Sequence, residues 1–339
     1  MKGRALLALL LALVLLGLFI LAVGWEEVYS ATARASLTIY LAAYLGSVLM
    51  LAARSMVWRL LLARVDTRRP YWLVAGIFLT AMFAKYVTPY GQVASGVGVA
   101  AVVSRYYEST YEESLAAILS ADFINYLPYY TLGGLGLGYV LFVDALPISL
   151  APYIPIGVGA VIGMALVVAT LWWGRETVTA SLVGVGTRVR SRIERISPRA
   201  GSAVRLEHLK TRFDGFSATL TLLSRDRKTL LIALVWGHVG WLGLATTLYV
   251  SSLAVGVELP IGTLFLCLAL SKLGFIIPTP GGVGGVEIAL AAVLFLVTPM
   301  GAATGTAVAI LYRFATYWFT VLVGGCVSIA LTISDPTIE

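Results

Sequence analysis

The sequence is poor in the residues that build disulfide frameworks and metal centres. It contains two cysteines, Cys267 and Cys326, both inside apolar stretches, and two histidines, His208 and His238, far apart in the chain. Isolated cysteines in apolar surroundings behave as small packing residues. The sequence therefore predicts no disulfide, no metal site and no cofactor.

Charge is scarce as well. Charged residues make up 12% of the 339 positions, whereas hydrophobic residues make up 59% and the mean hydropathy is +0.92. A soluble core could not hide so much apolar surface, so the composition predicts an all-α integral membrane protein. Runs of roughly 20 apolar residues cross about 30 Å of hydrocarbon. Such runs lie at 5–24, 36–53, 114–143, 154–174, 229–253 and 303–333.

The first run has two interpretations. It follows Lys2 and Arg4 and precedes the small-residue segment 31–33, as in a cleaved signal peptide. Its apolar part of about 20 residues is longer than a usual signal core. That length favours a helix that stays in the protein.

The few positive charges predict the topology. Segment 175–228 holds twelve Lys and Arg against five Asp and Glu, and segment 54–70 holds five arginines and one acid. Because positive loops face the cytoplasm, both segments and the N-terminus are predicted to be cytoplasmic in a cell membrane. The basic loop 175–228 is expected to contact anionic lipids rather than nucleic acid. It joins two predicted repeat halves, 36–174 and 229–333, within one membrane domain at 1–339.

Two proline–glycine breaks interrupt apolar runs in the two halves. Thr88-Pro89-Tyr90-Gly91 breaks the run 71–104, and Thr279-Pro280-Gly281-Gly282, 191 residues later, breaks the run 261–298. Paired breaks of this kind indicate a transporter-like site near the bilayer midplane. Non-helical backbone is tolerated there only inside protein or beside a polar cavity. A simpler interpretation is a proline kink satisfied by neighbouring helices.

The number of membrane crossings between the cytoplasmic loops predicts how the two broken runs fold. The runs 114–143 and 154–174 already supply two crossings between the predicted cytoplasmic loops, so the run 71–104 must enter and leave on one side. The run 261–298 must do the same from the opposite side. The sequence therefore predicts an inverted-repeat bundle of about six spanning helices plus two re-entrant helical hairpins.

Five ionisable residues remain at predicted membrane depth: Lys85, Asp122, Lys272, Glu287 and Arg313. Each costs about 2.5–3.5 kcal/mol at a helix centre, so each requires a partner, a cavity or a ligand. Asp122 and Arg313 each lie 31 residues after a break glycine, which predicts an ion pair, either structural or gating. Glu287 is predicted to cap a half-helix, to couple a proton or cation, or to pair with Lys272.

The glycines of the second break predict an anion site. Without Cβ atoms, Gly281, Gly282 and Gly284 let the backbone turn tightly and expose N–H groups at a half-helix N-terminus, where phosphate and carboxylate bind. The five embedded charges sum to +1, which favours an anionic headgroup. No catalytic residue is predicted. The predicted substrate-binding residues are Lys85, Thr88, Pro89, Gly91, Gln92, Lys272, Thr279, Pro280, Gly281, Gly282, Gly284, Glu287 and Arg313.

The segment from Phe275 to Glu287, followed by Arg313 and Trp318, resembles the signature of the flippase-like transmembrane domain family of lysylphosphatidylglycerol synthases. That signature is a proline-rich turn, two glycines, a further glycine, a glutamate, and an arginine in the next helix. The resemblance implies a lipid-handling domain, attached in some members to a soluble aminoacyl transferase. The chain ends six residues after its last apolar run, so we expect no such enzyme in it. The family often has a glutamate where this chain has Gln92.

Residues and resemblance together predict a non-enzymatic membrane transporter that flips an anionic phospholipid or polyprenyl-phosphate lipid, with membrane lipids as its partners. One alternative is an ion-coupled transporter of a small soluble anion, since an embedded acid such as Glu287 suits proton coupling. A second alternative is a membrane glycosyltransferase with a lipid-phosphate donor, for which Glu26-Glu27 would supply acidic metal-binding residues.

Overall fold

The computed structural model describes residues 16–88, 106–142, 225–277 and 279–333, with the isolated positions 14, 99, 103, 218, 219 and 222. Within this part of the chain the secondary structure is helical and contains no strand, in agreement with the all-α prediction. The predicted run 154–174, half of the run 5–24 and most of the basic loop 175–228 lie outside the described residues.

The described helices are α1 (Trp25–Ala33), α2 (Leu37–Leu62), α3 (Tyr71–Val87), α4 (Tyr111–Phe142), α5 (Arg227–Ala254), α6 (Ile261–Ser271), α7 (Gly285–Val297), α8 (Ala302–Arg313) and α9 (Phe319–Ile333). Helix α6 continues as a 3₁₀ helix over Lys272–Ile276, and a short 3₁₀ turn covers Pro280–Gly282. A π-helix over Phe314–Trp318 joins α8 to α9.

Four described segments are long and apolar enough to cross a membrane: Leu37–Leu62, Arg227–Ala254, Pro280–Val297 and Ala302–Ile333. They confirm the prediction of a multi-pass integral membrane protein. Helix α4 has 32 residues, about 48 Å at 1.5 Å per residue. It is less apolar than those four segments because it contains polar residues such as Asp122 and Asn125. The prediction that 114–143 spans the membrane is therefore supported by its length alone.

Polar caps and prolines set the ends of several helices. Asp226 caps α5 by accepting a hydrogen bond from the Thr229 backbone N–H at 3.0 Å. The hydrogen bonds from the Thr229 backbone and hydroxyl hold the pKa of Asp226 below its usual value. Arg64, in the turn after α2, pairs with the same carboxylate at 2.6 Å. Pro70 and Pro260 directly precede α3 and α6, where a missing N–H costs no helical hydrogen bond.

Helices α2 and α5 form a close pair at the centre of the bundle. A Cβ atom on Gly46 would lie 2.6 Å from the carbonyl oxygen of Gly243, and a Cβ atom on Gly243 would lie 2.6 Å from the carbonyl oxygen of Gly46. The hydroxyls of Ser47 and Thr247 are 3.3 Å apart across the same contact. Small residues allow membrane helices to approach this closely, which gains dispersion energy along the contact.

The starts of two long helices repeat along the chain. Helix α4 begins at Tyr111, and the continuous helical segment made of α8, the π-helix and α9 begins at Ala302. The second start lies 191 residues after the first, the offset that separates the two breaks.

The packing repeats with the same offset. Gly133 of α4 lies against Ala269 of α6, and Gly324 of α9, 191 residues after Gly133, lies against Leu79 and Phe83 of α3. Each long helix therefore packs on the broken run of the other half. This exchange joins the two halves into one bundle.

We expect Gly46→Ala to destabilise the protein by about 1–3 kcal/mol, since the new methyl group meets backbone atoms that cannot move independently. The matched control is Gly134→Ala in α4, where a Cβ atom would meet nothing within 4 Å. Changing glycine to alanine gains the same helix propensity at both positions, so a difference in stability between the two variants comes from packing alone. The measurement is the midpoint of thermal unfolding in detergent. Equal midpoints for the two variants would contradict the close α2–α5 contact.

Candidate functional site

The second proline–glycine break is a tight turn that requires glycine. Gly281 and Gly282 have φ values of +58° and +69°, which side chains other than glycine rarely adopt. A Cβ atom on Gly281 would also overlap the ring of Tyr317. The Thr279 hydroxyl donates to the Val283 carbonyl at 2.8 Å and closes the turn from within. The turn is thus a fixed piece of non-helical backbone.

The Arg313 side chain contacts both this turn and helix α7, which follows the turn. Its Nε donates to Glu287 Oε1 at 2.8 Å, and its Nη2 donates to the Gly281 carbonyl oxygen at 2.9 Å. The two charged side chains are only 7% and 4% exposed. The guanidinium also lies 4.4 Å from the centroid of the Tyr317 ring. Arg313, Glu287 and Gly281 form the Arg313 clasp, which connects α8, α7 and the turn.

The two legs of the broken run touch through a pair of glycines. A Cβ atom on Gly285, at the start of α7, would overlap the carbonyl oxygen of Gly274, and a Cβ atom on Gly274 would overlap Gly285 in return. Gly284 precedes α7 with a φ of +81°. The legs therefore fold back on each other with their backbones in contact.

The first half has a different charged group. Lys85, at the end of α3, pairs with the Asp122 carboxylate of α4. The indole N–H of Trp58 on α2 donates to the other carboxylate oxygen at 3.0 Å. The Lys85 ammonium lies 5.9 Å from the Trp58 ring centroid. Lys85, Asp122 and Trp58 form the Lys85 triad, which joins three helices around one buried charge pair.

The predicted ion pair between Asp122 and Arg313 is not formed. Asp122 binds Lys85 and Arg313 binds Glu287, so each charge has a partner in its own half. Glu287 likewise pairs with Arg313 and not with Lys272, which had been one of its predicted partners. Equivalent positions in a repeat do not have to touch, and each of these residues reaches a nearer opposite charge.

Arg54 is a buried cation that the sequence reasoning missed. It had been placed in the cytoplasmic segment 54–70, but α2 continues to Leu62 and buries Arg54 to 7% exposure. Its guanidinium lies 5.4 Å from the Tyr126 ring centroid, and its Nε is buried without a hydrogen-bond partner. One sequence signal could have placed Arg54 inside the helix. Trp58 and Leu62 follow it at helical spacing and continue the same buried face.

Lys272, like Arg54, has no carboxylate partner in the described part of the chain. It is partly buried at the junction of α6 and its 3₁₀ extension. Its ammonium lies 5.7 Å from the Trp241 ring centroid and 5.4 Å from that of Phe275. Aromatic faces attract cations, yet they do not neutralise the charge.

These charges belong to one cluster. Arg54 and Lys272 lie beside adjacent residues of α5: a Cβ atom on Gly240 would lie 2.9 Å from Arg54 Cγ, and the Lys272 ammonium lies 5.7 Å from the Trp241 ring centroid. Arg313 stacks on Tyr317, whose hydroxyl donates at 3.3 Å to the carbonyl oxygen of the residue that follows Lys85. The cation cluster consists of Arg54, Lys85, Lys272, Arg313, Asp122 and Glu287. Four positive and two negative side chains give it a formal balance of +2 within the described residues.

The remaining predicted site residues lie around the two breaks. Thr88 is exposed at the end of α3, whereas Thr279, Pro280 and Gly282 are buried in the second turn. The Gly282 and Val283 amides donate to Thr279 and Pro280 within that turn, at 3.1 and 3.2 Å. These two amides are therefore not free for the predicted phosphate cradle. Pro89, Gly91 and Gln92 lie outside the described residues.

We expect strong coupling between Glu287 and Arg313 in a double-mutant cycle. Either Glu287→Gln or Arg313→Gln alone leaves a buried group without its partner and should cost about 3–5 kcal/mol. The double substitution should cost clearly less than the sum. Unfolding midpoints in detergent measure the difference.

The partly exposed pair Arg64–Asp226 provides the matched control, because solvent screens its charges and little coupling is expected there. Additive effects at Glu287 and Arg313 would show that the clasp contributes no pairing energy.

A search of curated proteins finds no match. A family model does match: the one described as the lysylphosphatidylglycerol synthase TM region covers residues 5–324. The match includes both breaks, the Arg313 clasp, the Lys85 triad and Arg54. It indicates a membrane protein related to lipid handling. The chain belongs to the lysylphosphatidylglycerol synthase transmembrane-region family.

Proposed function

We propose that this protein binds the phosphate-bearing headgroup of an anionic membrane lipid in the cation cluster and moves it between the two leaflets. The supporting observation is the +2 balance of a buried or partly buried cluster inside a bundle of membrane helices. Uncompensated charge in hydrocarbon is costly, and an anionic ligand lowers that cost. Membership of a lipid-related family favours a lipid as the source of the anion.

The cations divide into two functional groups in this proposal. Lys85 and Arg313 already bind carboxylates, so they hold helices together. Arg54 and Lys272 have no carboxylate among the described residues, so their charges are available to attract a headgroup. The contact of Arg313 with the turn then holds α7 and α8 in place around the ligand.

Exposed aromatic residues beside the cluster provide a surface along which a lipid reaches the cations. Phe123 directly follows Asp122 and is 44% exposed, and Phe314 directly follows Arg313 and is 51% exposed. Tyr126, which stacks on Arg54, is also partly exposed. In the proposed complex, acyl chains lie against these outer rings while the headgroup reaches the cations inside.

The contact between Gly274 and Gly285 supports a re-entrant hairpin in the second half, because it folds the two legs of the broken run back on each other. The first leg, Ile261–Ile276, is a short apolar helix, whereas the second, Pro280–Val297, is long enough to cross a bilayer. In the proposed cycle the two halves have opposite orientations, and rocking of one half against the other exposes the cation cluster to each side in turn.

One observation keeps a second candidate, an ion-coupled transporter of a small soluble anion. Glu287 Oε2 is buried and has no hydrogen-bond partner, so it is a position where a proton could bind. No contact among the described residues favours the glycosyltransferase alternative: Glu26 and Glu27 are exposed in the first turn of α1. We therefore propose a transporter without enzymatic activity.

We expect the purified protein to move acyl-labelled anionic lipids across phosphatidylcholine liposomes. Dithionite quenching of a nitrobenzoxadiazole label measures the fraction in the outer leaflet over time. Labelled phosphatidic acid and phosphatidylglycerol are tested separately. Arg54→Gln should slow movement at least tenfold (about 1.4 kcal/mol), because it removes an available cation without breaking an ion pair.

The control is Arg68→Gln, the same chemical change at an exposed position in the turn between α2 and α3, which should transport as well as the original protein. Lipid movement no faster than in protein-free liposomes would refute flipping. Uptake of radiolabelled phosphate by the same liposomes, without lipid movement, would favour the soluble-anion transporter.

A further inference from the structure

We infer that the cation cluster selects a phosphate monoester, the headgroup class that carries close to two negative charges, over a phosphodiester. The inference rests on the proposed function for the location of the site, and it adds the charge class of the ligand. It follows from which charges in the cluster are already neutralised.

Each carboxylate of the cluster already pairs with one cation. Asp122 binds Lys85 through one oxygen and Trp58 through the other. Glu287 binds Arg313 through Oε1 at 2.8 Å. The +2 balance therefore resides on Arg54 and Lys272.

Arg54 presents an unused hydrogen-bond donor. Its side chain is more than nine-tenths buried, and Nε has no partner within the described residues. Unpaired buried donors cost about 1–3 kcal/mol, more when charged. An acceptor with several oxygens satisfies a guanidinium well, since two parallel hydrogen bonds can form to one phosphate.

Lys272 supplies the second charge from the opposite half of the bundle. Both cations lie beside adjacent residues of α5, because a Cβ atom on Gly240 would lie 2.9 Å from Arg54 Cγ and the Lys272 ammonium lies 5.7 Å from the Trp241 ring centroid. Like charges repel each other when no ligand lies between them. An anion that contacts both converts this repulsion into attraction. Lys acts as a point charge on phosphate, whereas Arg fixes the orientation of the oxygens.

The two unpaired positive charges favour one class of lipid phosphate over another. A phosphate monoester carries about −1.5 to −2 at pH 7 and neutralises both cations. A phosphodiester such as phosphatidylglycerol carries one negative charge and leaves one cation uncompensated.

The test is equilibrium binding to the full-length protein in detergent, measured by isothermal titration calorimetry. The probes are dioctanoyl phosphatidic acid (a monoester), dioctanoyl phosphatidylglycerol (a diester) and inorganic phosphate. We expect the monoester lipid to bind at least tenfold more tightly than the diester. Lys272→Gln should bring this ratio close to one, because one excess charge then remains and the diester neutralises it. Arg54→Gln should also lower the ratio.

Lys228→Gln is the control, since Lys228 is exposed in the first turn of α5, and it should leave the ratio unchanged. Size-exclusion chromatography verifies that every variant is folded. A diester bound as tightly as the monoester, or a ratio unaffected by Lys272→Gln, would overturn the inference and leave anionic-lipid transport standing.

Two further outcomes support the inference and overturn the proposed function instead. One is monoester selectivity that depends on Lys272 in a protein that moves no lipid in liposomes. The other is inorganic phosphate binding as tightly as the monoester lipid, which would identify the ligand as free phosphate.

Discussion

Compensation of charge in a medium without water is the constraint that organises this protein. Each of the four cations in the cluster is expensive at membrane depth, and the described residues of the cluster include only two carboxylates. Those two are used in the Arg313 clasp and the Lys85 triad, both of which connect separate helices. In the proposed function, the pairs that hold the bundle together also determine which cations remain for a ligand. Stability and the proposed binding then follow from one charge balance.

The broken backbone of the second half is subject to the same constraint. Unsatisfied carbonyl and amide groups cost several kcal/mol each in hydrocarbon. Arg313 satisfies the Gly281 carbonyl, and the turn satisfies two of its own amides. The clasp thus compensates a charge and a backbone group with one side chain. Contact between Gly274 and Gly285 keeps the two legs close enough for this geometry, which explains why small residues occur on both sides of the turn.

The sequence predicted the class of protein, the helical architecture and the position of the second break, since these follow from local composition and from glycine and proline chemistry. It also identified five of the six members of the cation cluster. Arg54 was missed because an arginine after an apolar run looks like a loop residue when the end of the helix is unknown. The partner of Asp122 was wrong for a related reason: spacing gives equivalent positions, whereas a contact depends on how helices from distant parts of the chain pack.

The charges do not follow the repeat, although the backbone does. Positions 191 residues from Arg54 and Lys272 are Ala245 and Ala81, so neither excess cation has a counterpart in the other half. Asp122 and Arg313 are equivalent and carry opposite charges. Two identical sites would require both cations to occur twice. In the transporter that we propose, the repeated helices are the parts that move against each other, and the unrepeated residues form one site between them. Such a combination suits the proposed exposure of a single headgroup to each side in turn, because duplicated sites would hold the lipid in two separate places.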